Sequence, residues 1–472
     1  NTHSICLSPK PENVAERYKA YGFDVFEMEG NDLESIDTIL SSVRDKQTRP
    51  IYIACKTIIG KGSPHKAGTS KAHGSPLGEE EVKATKKELG LPEEAFYTPQ
   101  SVTTFFEGKL PKQKSLEENW KREFEIWAKN NPDRATDFYT MQGKKLPSDL
   151  ESTLNAISFP DSISGRKASQ EVLQILGDKL PFLYGGSADL SGSDCTMMKQ
   201  FPLIAPKDFS GRNIKFGIRE FGMAAAASGL WETGMITPYI GTFFTFSDYM
   251  RNAIRLASLS HYHVIYQMTH DSVFLGEDGP THQPIEHLAA LRAMPNLRVY
   301  RPADAHEVTA TWISMLRHDG PSIIVLSRQN LPLLSETNLP FEESVGKGGY
   351  ILHKEKETPN FTLFATGSEV SLALDVAHEL EKRGKEVRVV SLPCWEVFEE
   401  QDEAYKESVV GGDLGKRVSI EAGVKFGWSR FTHHDGIAIS INEFGRSAPA
   451  SDIANEFGFT VDAILEELLS SK

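Results

Sequence analysis

Sixteen residues from Thr269 to Pro284 read T-H-D-S-V-F-L-G-E-D-G-P-T-H-Q-P and place His270, His282, Asp271, Glu277 and Asp278 together. Imidazoles and carboxylates at that density make proton-transfer chemistry near neutral pH. With few aliphatic side chains to bury, the stretch reads as a site rather than as core. Gly276, Gly279 and Pro284 break helical and strand periodicity alike and so predict a loop. The run before it, His263 to Met268, has the pattern of a buried strand. The loop therefore leaves a strand end, where α/β proteins place their ligands. The competing reading is a solvated surface loop whose charges have no task.

Other residues carry chemistry by type and place. Glu220 heads a small-residue helix that continues through Ala224 to Ala227. A carboxylate there answers the positive end of the helix dipole, worth about 0.3–1 kcal/mol, or, if buried, pairs with a heterocyclic ring nitrogen. Phe243, Phe246 and Tyr249 follow at three-residue spacing, which on a helix gives them one face: ordinary core, or the wall for a flat aromatic ring. Arg166, Ser193 and Arg328 are phosphate candidates, because guanidinium forks suit phosphate oxygens. A surface ion pair is the alternative for each arginine; Arg328, directly after an apolar strand, is the best placed. His73, between small residues after a long flexible loop, is free to enter a cleft. Lys61-Gly62-Ser63 in that loop lacks P-loop spacing, and His65 stays open between a diphosphate and the surface. The Ala365 to Glu369 turn reads as a cap with Ser368 near the N-cap, or as an anion site on free backbone N–H groups.

These residues need a scaffold, and the pattern supplies an α/β one with parallel sheets. Phe23 to Phe26, Leu33 to Val43 and Ile51 to Cys55 read as one βαβ unit. Residues 92–149 read as a surface connector with helical stretches. A second α/β block runs from Ile163 to about Pro332, and a smaller one from about Gly346. The expected domains are 1–145, 146–340 and 341–472, in keeping with a length of 472 residues. A formal charge of −14 opposes nucleic acid and anionic lipid, so an anionic substrate needs a local arginine cluster. No apolar run long enough to span a membrane is present. Four scattered cysteines argue against zinc and disulfides and, with no export signal in view, predict a reducing, cytoplasmic setting. The chain begins at Asn1, and the expectation is that an amino-terminal part precedes it.

Taken in order, H-G-S-P at His73, G-R-K-A-S at Arg166, G-G-S-A-D-L at Ser187, G-I-R-E-F-G-M at Glu220, T-H-D-S with G-E-D-G-P-T-H-Q-P, and L-S-R-Q-N at Arg328 resemble the transketolases, from about Arg17 to the chain's end. The resemblance implies a thiamine diphosphate-binding fold with a smaller carboxy-terminal α/β domain, and thiamine diphosphate as cofactor, whose ylid cleaves the bond. It implies reversible transfer of a two-carbon ketol unit from a ketose phosphate (xylulose 5-phosphate) to an aldose phosphate (ribose 5-phosphate or erythrose 4-phosphate), in the pentose phosphate pathway. Glu220 then holds the aminopyrimidine, walled by Phe243, Phe246 and Tyr249, with Asp189 near the thiazolium. His73 and His282 move protons, Asp278 reads a hydroxyl, and Arg166, Ser193, His270 and Arg328 hold the sugar phosphate. A homodimer is implied as well.

The sequence departs from that family in lacking its G-D-G segment; at the place where the following Asn would align stands His3, ahead of Ile5. Magnesium (or calcium) is expected with the cofactor, its ligands largely in the amino-terminal part that the chain lacks, and no metal ligand is assigned. Two alternatives stay open: a dihydroxyacetone synthase, and a non-catalytic transketolase-like subunit. The deoxyxylulose-phosphate synthases fit less well, because His73, His270 and the unbroken G-E-D-G-P-T-H-Q-P favour the transketolases.

Overall fold

The computed structural model describes residues 12–470, in two compact units, 1–125 and 126–472. Cys6 and the His3–Ile5 alignment lie outside the described residues.

The first unit is built on the expected βαβ arrangement. Strands Asp24–Glu29 and Ile51–Lys56 pair in parallel, joined by the helix Leu33–Val43, which Asp32 caps through the Glu34 N–H. Tyr18 stacks on Tyr52 at 3.8 Å between ring centroids. The loop carrying His65 and His73 is pinned rather than flexible. The Glu81 carboxylate accepts from the Ser63 hydroxyl and, at 3.0 Å, from the His65 N–H, and lies 2.9 Å from His65 Nδ1; Lys66 Nζ donates to the Leu77 carbonyl at 2.8 Å. The stretch expected to be a surface connector with helical stretches carries three largely exposed helices, Gln100–Glu107 in the first unit, Leu110–Asn130 across the boundary and Pro132–Gly143 in the second.

The second unit holds two larger sheets. The first has six strands, all parallel, in the order Asn213–Lys215, Leu183–Ser187, Thr237–Phe243, Ile265–Thr269, Ser322–Leu326, Arg298–Tyr300. Its central strands are buried throughout, as helices on both faces of a parallel sheet require. The helix Gly165–Lys179 turns Ala168, Val172, Leu173 and Leu176 inward at helical spacing. Burial of each of the three larger side chains is worth about 1.5–3 kcal/mol. Gly185 and Gly186 are required by the sheet: a Cβ on either would meet the Tyr239 or the Ile214 carbonyl oxygen of a flanking strand.

The second sheet orders Tyr350–His353, Val387–Ser391, Phe361–Ala365, Lys416–Ile420 and Ile437–Ile439, the first antiparallel and the rest parallel. Its core joins Leu363, Val389, Val418 and Ile420 to the helices Glu369–Lys382 and Val461–Ser470. A third, short pairing matters more for chemistry: Asn330–Pro332 runs antiparallel to Ser162–Ser164.

Candidate active site

Strand register gathers the candidates. Phe243 lies beside Thr269, and Thr269 beside Leu326, at the carboxyl ends of three neighbouring parallel strands. The chain leaves those ends at Phe243, at His270 and at Ser327, so residues far apart in sequence surround one crevice. The Asn330–Pro332 pairing with Ser162–Ser164 then draws the Arg166 and Arg328 segments together. Gly165 N–H donates to Ser327 Oγ at 2.9 Å across 162 residues.

The aromatic trio is not one helical face. Phe243 ends a strand, Phe246 lies in the 3-10 turn Phe244–Phe246, and Tyr249 in the helix Ser247–Leu259. Three residues per turn in the 3-10 segment still aligns the rings. Phe243 and Phe246 stack at 5.8 Å and 18°, and Tyr249 follows at 6.0 Å. Tyr249 is 67% exposed, so the wall is open on one side rather than packed as core.

His270 lies tilted over Phe243 at 3.7 Å between centroids, with Nδ1 2.9 Å from the Thr269 hydroxyl. Burial, then the charges of Arg166 and Arg328, push its pKa down to about 3, so the imidazole is neutral at physiological pH. Arg166 donates to the Ser193 carbonyl at 2.7 Å, and its Nε is buried without a partner. Among the described residues neither Arg166 nor Arg328 forms an ion pair with a carboxylate. Two guanidinium groups beside a neutral imidazole make an anion site. The loop holding Ser193 is anchored by buried Asp194, which accepts from the Ser187 hydroxyl and, at 2.7 Å, from the Thr196 hydroxyl.

His282 faces the same aromatic rings, 5.4 Å from Phe246 and 6.1 Å from Phe243. Its loop is held by Gln283, whose amide donates to the carbonyls of Val273, Gly276 and Arg446 at 3.1, 3.0 and 2.8 Å. Gly276 and Gly279 take the positive φ values, 96° and 80°, that the turns require. Asp278 is exposed on that loop. Glu220 is half-buried as the first residue of the helix Glu220–Glu232, and no described residue gives its carboxylate a hydrogen bond. Asp189 is exposed after the strand Leu183–Ser187, in a left-handed backbone at φ 69°, and lines a small cavity of about 100 Å³ with Ser191 and Lys215. His73 is exposed in the first unit, after the 3-10 turn Ser70–Ala72.

Two readings of the His/Asp stretch change. Val273 and Leu275 are fully buried, so its first half is core after all. Asp271 leaves the crevice: it pairs with Arg301, which is buried completely. Ser368 is the N-cap of the helix Glu369–Lys382, as expected, but its hydroxyl caps no backbone N–H, and the turn is not a free anion site. Ser368 Oγ bonds Glu369, and the Arg301 guanidinium occupies the turn. Arg301 went unread from sequence, although an arginine directly after a buried strand was the signal that singled out Arg328. As for cations, His287 lies between Asp248 and Glu286 at 3.4 and 3.8 Å, with both carboxylates exposed.

Three family models match the chain: the transketolase thiamine diphosphate-binding domain over residues 7–147, the transketolase pyrimidine-binding domain over 161–333, and the transketolase-like carboxy-terminal domain over 348–460. A transketolase of Staphylococcus aureus (strain MRSA252) is 42% identical over 463 residues, covering 97% of this chain and 70% of that relative. Among solved structures, transketolase from Leishmania mexicana superimposes with a TM-score of 0.89 at 36% identity, over 98% of this chain and 68% of that one. The Pichia stipitis transketolase in complex with sedoheptulose 7-phosphate gives 0.88 at 34%, over 98% and 68%. Sequence, domain order and fold agree: the chain belongs to the transketolase family of transferases.

Proposed function

We propose that the chain transfers a two-carbon ketol unit from xylulose 5-phosphate to ribose 5-phosphate or erythrose 4-phosphate, as in the pentose phosphate pathway. The observation that carries this reading is the pair Arg166 and Arg328 beside neutral His270, with no carboxylate paired to either among the described residues, next to an open aromatic wall. The solved relative with a bound seven-carbon sugar phosphate supports the substrate class.

The residues present fit thiamine diphosphate. A wall of three aromatic side chains is left open at Tyr249, and Glu220 stands at a helix head with no hydrogen-bond partner among the described residues. When bound, thiamine diphosphate supplies the carbon nucleophile that cleaves the bond beside a carbonyl. Glu220 holds a ring nitrogen of the aminopyrimidine; Phe243, Phe246 and Tyr249 stack on the heterocycle; Asp189 faces its second ring. Arg166 and Arg328 hold the substrate phosphate with the Ser193 hydroxyl. In the tautomer whose Nδ1 accepts from the Thr269 hydroxyl, His270 Nε2–H donates to the same anion. His282 and His73 take and return protons at the substrate hydroxyls, and Asp278 accepts from one of them. Magnesium (or calcium) accompanies the diphosphate in this reading, and we assign it no ligand.

We place the domain boundaries at 145 and 340. A homodimer is part of the reading, supported by Ile218, Phe221, Leu256 and Leu259, exposed on or beside the helix pair Glu220–Glu232 and Ser247–Leu259. A cytoplasmic setting is supported by the free thiols of Cys55, Cys195 and Cys394. The test is purified protein with thiamine diphosphate, magnesium, xylulose 5-phosphate and ribose 5-phosphate. Seven- and three-carbon sugar phosphates are expected. Transfer to formaldehyde in preference to these acceptors replaces the reading with a dihydroxyacetone synthase.

A further inference from the structure

His270 has a left-handed backbone, at φ 66°. For a residue other than glycine that conformation costs roughly 1–2 kcal/mol and persists only where the surroundings impose it. On one side the Thr269 hydroxyl holds its ring. On the other, Asp271 is clamped: Oδ2 accepts from Arg301 Nη2 at 2.7 Å and from Nε at 3.2 Å.

Arg301 is held in turn from the segment that joins the strand Phe361–Ala365 to the helix Glu369–Lys382. Its Nη1 donates to the Thr366 carbonyl at 3.0 Å, to Thr366 Oγ1 at 3.1 Å and to Glu369; its Nη2 reaches the other Glu369 oxygen at 3.2 Å. Gly367, at φ 56°, lets the guanidinium lie against the turn, because a Cβ there would meet it at 2.7 Å. Glu369 also accepts from the Ala422 N–H at 2.9 Å, and Thr366 donates to Glu421 at 2.6 Å. Burial works against the Arg301 charge, yet the Glu369 and Asp271 carboxylates hold it firmly protonated. The charges that depress His270 are those of Arg166, Arg328 and His282.

We infer that Asp271 and Arg301 are positioning residues of the reaction: anchored by Thr366 in the turn after the strand Phe361–Ala365 and by Glu369 at the head of the helix that follows, they fix the left-handed His270 backbone and so aim its imidazole at the substrate phosphate. The inference rests on the proposed role of His270 as a phosphate contact. It gives the turn and helix that follow the strand Phe361–Ala365 a task in catalysis.

The experiment uses the full protein with cofactor and compares a phosphorylated ketose donor with an unphosphorylated one of the same carbon skeleton. Asp271→Ala is expected to raise KM for the phosphorylated donor by about tenfold, with kcat changed less than about threefold and the unphosphorylated donor unaffected. Asp271→Asn, which keeps an acceptor oxygen for Arg301, restores most of the difference and serves if the alanine variant does not fold. In a His270→Ala background the Asp271 substitutions add nothing further to KM. Effects that multiply in the double variant, or that fall equally on both donors, overturn the inference. If His270→Ala alone leaves KM for the phosphorylated donor unchanged, the phosphate role of His270 falls and this inference with it. Arg328→Ala judges the rest of the phosphate site separately.

Discussion

Tyr350 donates a 2.7 Å hydrogen bond to Glu307, a carboxylate from the helix behind the six-stranded sheet that is buried against the first strand of the second sheet. The Ser391 hydroxyl at 2.6 Å and the Ala303 N–H at 2.7 Å complete its contacts. Burial, aided by nearby Asp304 and opposed by these donors, raises the Glu307 pKa from an ordinary 4.5 to about 7.

The sign of the resulting pH dependence follows from linkage. Between about pH 4.5 and 7 the folded state binds a proton at Glu307 that the unfolded chain has released, so stability falls as pH rises through that window and levels off above it. Glu307→Gln, which stays neutral, is expected to flatten this slope in denaturant midpoints measured from pH 5 to 8. An unchanged slope assigns the effect elsewhere.

Arg292 and Glu421 form a two-pronged pair at 2.9 and 2.8 Å, with both side chains almost fully buried and the Trp428 indole donating to the same carboxylate at 3.0 Å. Removing one partner leaves a buried charge unpaired. Arg292→Met is expected to cost about 3–5 kcal/mol in urea unfolding, and replacing Glu421→Gln as well recovers part of that loss. A single-variant cost below about 1 kcal/mol contradicts the burial of the pair.

Arg328→Ala removes the proposed charged contact to substrate phosphate, a type worth about 1.5–3 kcal/mol, and is expected to raise KM for phosphorylated sugars by about 10- to 100-fold. The same change takes away one of the charges depressing His270, whose pKa then moves up toward its ordinary value. Steady-state kinetics reads the first effect and NMR titration of the imidazole the second. An unchanged KM removes Arg328 from the phosphate site.

Glu220→Gln keeps the size of the side chain and loses its charge. A drop in turnover of about 100-fold or more is expected, with the unfolding midpoint nearly unchanged because no described residue bonds this carboxylate. A variant that keeps most of its activity ends the assignment of Glu220 to the pyrimidine.

The parallel strands, the βαβ unit and the motif residues were legible in the chain because each rests on local pattern. Runs such as Ser322–Leu326 announce a buried strand, and Arg328 after it announces a strand-end ligand position. Helical spacing misread the aromatic trio, since three residues per turn also describes the 3-10 turn that carries Phe246. Counting carboxylates misread Asp271: nothing local says that a residue beside His270 turns away to Arg301.

The sequence by itself determined which side chains were available and at which strand ends they emerge, because backbone periodicity and turn residues act over a few positions. Only the tertiary structure decided which of them meet. Strand register sets Phe243 beside Thr269, a two-strand pairing brings Arg166 to Arg328, and a buried guanidinium joins Asp271 to Glu369. Such contacts close loops of tens to hundreds of residues, and the burial and charge neutralisation that stabilise them exist only once the chain has folded.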